Sequence, residues 1–224
     1  MKKSTLITYG FLLIIIVAAI IVGYNLIKPV PVLPVYRPFD LNPRLVDDSL
    51  MYKRGVHKIA DFEFTNQYGD LVSNTDFENG IYVADFFFVT CPTICPLMTK
   101  NLSIVHEKFK EEDMFKILSH TVMPEVDSVP LLYDYAEKHN AEKGKWHFVT
   151  GDKKDIYKMA RTSYFAVVTE GDGDSHDFIH TENFILVDSQ RRIRGFYDGT
   201  EAQEIDRLIK DLEVLLIEEK KKQK

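Results

Sequence analysis

Ile81-Tyr82-Val83-Ala84-Asp85-Phe86-Phe87-Phe88-Val89-Thr90-Cys91-Pro92-Thr93-Ile94-Cys95-Pro96 decides how the rest of the chain is read. Its first eight residues are dominated by aromatic and β-branched side chains, which predicts a buried strand. It ends on the two cysteines of the protein. Beyond them Leu97, Met98, Leu102, Val105 and Phe109 recur with a helical period, so the predicted order is strand, cysteine loop, helix. Thiols near a helix N-terminus meet unpaired backbone N–H groups and the positive end of the macrodipole, which favour thiolate. A disulfide between them is within reach if the loop resembles a helical turn. As a structural staple it would close a very small loop and contribute little through chain entropy. Redox work or metal binding therefore suits the pair better than a staple or two inert thiols.

Outward from this stretch, the order continues as a strand over Met114 to Val122, a helix over Val129 to His139 and a strand at Trp146 to Val149. A helix follows from Asp152 to about Ser163. A hairpin then crosses Asp188 to Arg191, and a closing helix runs from Ala202 to Ile217. Upstream, Asp61 to Thr65 alternates like a strand and turns at Asn66 to Asp70 into Leu71-Val72. This order predicts an α/β, thioredoxin-like fold with an added N-terminal β-hairpin, its chemistry at the carboxyl ends of the parallel strands.

Ser4 to Ile27 carries no charge and is mostly Leu, Ile, Val and Ala, enough at about 1.5 Å per residue to cross a hydrocarbon core. With no small-x-small cleavage pattern after it, the run is read as one N-terminal transmembrane helix and membrane anchor over 1–27. Lys2 and Lys3 favour a cytoplasmic N-terminus, which sends the remainder to the outer, periplasmic side. Prolines 29, 31, 34, 38 and 43 mark 28–55 as a tether. One domain then spans 56–218, and 219–224 is a Lys-rich tail. Net charge is −6, and −12 once the six lysines of the two tails are set aside, which argues against nucleic acid as a partner.

The Cys91-Pro-Thr-Ile-Cys95-Pro loop, the Asp61-Phe-Glu-Phe-Thr-Asn-Gln-Tyr-Gly start, Phe148-Val149-Thr150-Gly151-Asp152 and Asp177-Phe178-Ile179-His180-Thr181 together resemble the Sco (SenC-type) family of copper chaperones for cytochrome c oxidase. The resemblance covers about Ile59 to Leu216. It implies copper, as Cu(I) or Cu(II), held by Cys91, Cys95 and His180. Two thiolates and one imidazole make a soft, low-coordinate set that suits that metal, whereas structural zinc normally takes four ligands.

The implied function is assembly of the dinuclear copper site of cytochrome c oxidase subunit II, with other copper carriers or thioredoxin-like reductants as further partners. On this reading the protein is a metallochaperone more than an enzyme. The alternative is a membrane-tethered thiol–disulfide oxidoreductase using the Cys91/Cys95 redox pair. A peroxidase on the same fold ranks last, because no Thr-x-x-Cys with a supporting arginine is present.

Two departures from the family pattern stand out. Met123 occupies the usual place of an acidic residue before Pro124-Glu125, although Asp127 matches the next acidic position, and Ile179 replaces an acidic residue before the histidine. Met123 suits core packing better than ligation. His176, in an acidic loop, ranks below His180 as a ligand. His57, His106, His120, His139 and His147 are read as scaffold or surface.

Overall fold

The computed structural model describes residues 3–27, 32–46, 48–51, 55–167 and 178–222. The chain divides into two units, Met1–Val32 and Leu33–Lys224. The first holds helix α1, Lys3–Ile27. Its described side chains run from Tyr9 to Tyr24, and all its large apolar groups there are exposed. Among the described residues no helix is long and apolar enough to cross a membrane.

The second unit is built on one mixed sheet. Its strands are β1 Glu63–Asn66, β2 Leu71–Ser73, β3 Ile81–Phe87, β4 Phe115–Thr121, β5 Trp146–Thr150, β6 Asn183–Val187 and β7 Ile193–Asp198. They lie in the order β2-β1-β5-β4-β3-β6-β7. β3, β4 and β5 run parallel, with Ile81 opposite Phe115 and Ile117 opposite Trp146. β6 pairs antiparallel with β3, and β1 pairs antiparallel with both β2 and β5. Gly69, at φ +80°, makes the turn between β1 and β2, a backbone conformation at which a Cβ is strained.

Helices cover both faces, which is why β3 is buried at every position. Ile81, Val83 and Phe87 face α3 (Ile94–Phe109), α4 (Val129–Lys138) and α6 (Ala202–Lys222). Tyr82, Ala84 and Phe86 face α5 (Lys153–Lys158), the π-helical turn Met159–Ser163 and the segment around Ile59 and Phe62. Met98, Leu102, Val105 and Phe109 seat α3, each contributing roughly 1.5–3 kcal/mol by leaving water.

Two expectations change at the edges. The proline-rich stretch is docked on the sheet from Leu33 on, because the buried Arg194 needs acceptors. Its Nη2 donates to the Leu33 carbonyl at 2.7 Å and its Nε to that of Pro34 at 2.9 Å. Arg194 also pairs with Glu218 at 2.7 Å and Asp188 at 3.1 Å. Tyr36 N–H then donates to Ile193 C=O, Pro38 and Val46 are buried, and a short helix α2 spans Asp48–Met51. Of the predicted tether, 28–31, 47 and 52–54 lie outside the described residues. At the other end α6 runs on to Lys222, five residues past the predicted stop. Glu219 is buried there, accepting from the Ser189 hydroxyl, so part of the expected tail belongs to the globe.

Because β6 is antiparallel to β3, the Asp188 turn and Arg194 sit at the pole opposite the cysteine loop.

Candidate functional site

β3 ends at Phe87, and its last ladder bond there is Val122 N–H to the Phe87 carbonyl at 2.8 Å. The chain then turns, Cys91 N–H donating to Phe88 C=O at 3.3 Å, and enters α3 at Ile94. Thr93 stands at the cap position without donating or accepting through its side chain there. The Cys91 sulfur takes that place, accepting from the backbone N–H groups of Thr93 and Cys95. Pro96, the third helical residue, lacks an N–H that would otherwise need a partner.

Both cysteines are buried and unbridged. Their environments differ. Burial opposes the Cys91 thiolate, but hydrogen bonds from the Cys95 thiol, the two backbone N–H groups and the Thr93 hydroxyl outweigh it, so its pKa falls below that of an ordinary thiol. Burial pushes Cys95 up to about 12, reinforced by its bond to Cys91 and by the nearby charges of Cys91 and Asp85. Of the two sulfurs Cys91 is therefore the more easily deprotonated.

His180 lies between buried Ile179 and buried Thr181, and its own side chain is exposed. Ile179 N–H donates to the Tyr157 hydroxyl at 3.4 Å, and the Thr181 hydroxyl donates to Ala166 C=O at 2.7 Å, so the backbone is held on both sides. The Phe178 ring packs edge-on against Phe88 at 5.4 Å, three residues before Cys91. Continuing the β3–β6 register from Ala84 opposite Ile185 would set position 180 abreast of Val89. The structure therefore brings Cys91 and Cys95 together and sets the His180 segment beside their loop. Among the described residues it does not gather three His, Cys, Asp or Glu side chains into a metal cluster. His176 lies outside the described residues. Met123 is half-buried and packs on the core layer that includes Leu118 and Val122.

Two buried carboxylates frame the loop. Asp85 faces α3 from β3 and accepts from the Ser119 hydroxyl at 2.5 Å, and Ser119 accepts from Trp146 Nε1–H at 2.9 Å. Burial raises its pKa to about 7. The signal for it in the sequence is a lone acid inside an apolar strand. Asp127, in the loop after β4, accepts through Oδ2 from Val89 N–H at 3.1 Å and from the Thr121 hydroxyl. Three of the histidines read as scaffold or surface, His106, His120 and His147, are buried.

Residues 52–216 match the SCO1/SenC family. The chain is 32% identical over 158 residues to the SCO1 protein homolog of Bacillus subtilis (strain 168), covering 70% of this chain and 81% of that one. The SCO1/SenC family lipoprotein of Bacillus anthracis str. Ames superposes with a TM-score of 0.63 at 28% identity, covering 71% and 95% of the two chains. BsSco superposes at 0.60 and 31% identity, over 71% and 93%. It is a member of the Sco family of cytochrome c oxidase assembly proteins in which a disulfide switch was identified. With the family matched across most of the folded unit and the cysteine loop at the head of α3, this chain belongs to the SCO1/SenC family.

Proposed function

We propose that this protein is a membrane-anchored copper chaperone. Cys91, Cys95 and His180 take one copper ion as cargo for the dinuclear copper site of cytochrome c oxidase subunit II. The observation that carries the reading is the pair of unbridged sulfurs at the N-terminus of α3, one of them favoured as thiolate, beside the Phe178–His180 segment that rests on Phe88. Two sulfurs and an imidazole fit a soft monovalent ion by donor type. The fold is shared with ScoI of Bradyrhizobium japonicum, which was solved with copper bound. Copper closes the site by drawing in the exposed His180 ring.

The anchor is α1. The reading rests on the sequence, where the uncharged Ser4 to Ile27 run is long enough at about 1.5 Å per residue to cross a hydrocarbon core, although the described part of α1 alone is not. The globe lies outside the cytoplasm, with other copper carriers or thioredoxin-like reductants supplying it.

A second reading, a thiol–disulfide oxidoreductase, is favoured by the unequal thiols. Cys91 thiolate attacks a partner disulfide and Cys95 resolves the mixed disulfide. Two electrons pass to the partner, leaving a Cys91–Cys95 disulfide here. Copper titration of the full-length protein in detergent separates the two. The chaperone reading expects one copper per chain when reduced, none when Cys91 and Cys95 are oxidised, and recovery on reduction. Failure of the reduced protein to bind copper leaves the oxidoreductase.

A further inference from the structure

Val89 is two residues before Cys91 and already past the end of the β3 ladder, so its N–H needs an acceptor outside the sheet. The acceptor is the carboxylate of Asp127, a residue with no exposed surface. The same oxygen, Oδ2, also accepts from the Thr121 hydroxyl. Thr121 Oγ1 in turn accepts from Met123 N–H at 3.0 Å, and Asp127 N–H closes the ring by donating to Met123 C=O at 2.9 Å. Asp127 Oδ1 is buried with no hydrogen-bond partner. Burying a carboxylate oxygen is costly, and a turn needs no buried acid to form. Oδ2 thus serves both the Thr121 hydroxyl and the Val89 N–H that leads into the cysteine loop.

We propose that Asp127 is a positioning residue for the metal site. Through Val89 it fixes the backbone that presents Cys91, and it ties that backbone to the Thr121–Met123 segment at the end of β4. The proposal rests on the copper reading above for its effect on affinity, and on the hydrogen-bond ring alone for its effect on the loop. Asp127 touches no ligand, so its influence passes through main-chain geometry.

The test uses the full-length reduced protein and its Asp127→Ala and Asp127→Asn variants. Copper affinity is measured by competition, and the Cu(II)–thiolate charge-transfer band by absorption. Asp127→Ala, if folded, should bind copper at least about tenfold more weakly, the range typical of lost outer-shell partners, with a shifted band. Asp127→Asn keeps a carbonyl oxygen for Val89 N–H and should recover most of both. A purely structural role would lower the melting temperature and leave the band of the folded fraction in place, and that result overturns the proposal. Should Asp127→Ala not fold, amide exchange on the wild type decides. Val89 N–H should exchange as slowly as the β3 amides, and free exchange there overturns the proposal. If the wild type binds no copper the chaperone reading fails, and Val89 exchange still tests the loop anchor.

Discussion

Asp85→Asn should change the pH dependence of stability more than any other conservative substitution near the site. Asp85 is fully buried, and burial raises its pKa from the ordinary 3.8 to about 7, against the lowering effect of the Ser119 hydrogen bond. The folded value lies above the unfolded one, so folding favours the protonated acid. The contribution is fully present below about pH 3.8 and is lost as pH rises through about 7. At 1.36 kcal/mol per pH unit the gap corresponds to about 4 kcal/mol. Asparagine keeps an oxygen for the Ser119 hydroxyl, but it buries an NH2 where the acid had an oxygen, a pH-independent cost of about 1–3 kcal/mol if that NH2 goes unpaired. Urea unfolding of the reduced full-length protein, followed by Trp146 fluorescence, reads the effect directly, since Trp146 is the sole tryptophan and donates to Ser119. The variant should be less stable than wild type at pH 4 and gain about 4 kcal/mol relative to it by pH 8. Parallel curves for the two proteins across that range would refute the reasoning.

His120 should act in the opposite sense. Burial lowers its pKa from 6.5 to about 4, so stability is lost as pH falls between those values, by about 3 kcal/mol. In His120→Leu that acid limb should disappear from the same unfolding curves. A chain begun at Val56 should melt well below one begun at Leu33. It lacks the Leu33 and Pro34 carbonyls that Arg194 uses, hydrogen bonds to a charged group worth about 1.5–3 kcal/mol each, and thermal scans of the two truncations check this. Brief iodoacetamide treatment near pH 7.5 should alkylate Cys91 before Cys95, as peptide mass spectrometry would show, because only Cys91 is favoured as thiolate.

The parts of the fold legible in the sequence are those where one physical requirement dominates. An apolar run covered on both faces could only be a central strand, and the Ala202–Ile217 pattern could only be a helix seated along one side. The docking of Leu33 to Val46 was hidden because proline content reports the lack of periodic structure and says nothing of which carbonyls a distant arginine will find. The end of α6 was hidden for a related reason. A lysine run reads as solvated, while Glu219 among those lysines is drawn inward by Ser189. At the site, the cysteine loop follows from local order. His180 was reached by resemblance, and no local pattern could tell whether its ring faces the sulfurs or solvent. Asp127 depends on a hydrogen bond across 38 residues, which no spacing encodes.

X-ray absorption of the copper-loaded, reduced full-length protein tests the central claim most directly. The account predicts two sulfur scatterers and one imidazole around copper in the wild type. In His180→Ala the imidazole signature should be lost and copper affinity should fall severely, while the Cys91 and Cys95 sulfurs remain. An imidazole retained in His180→Ala, or a wild-type site without one, would contradict it.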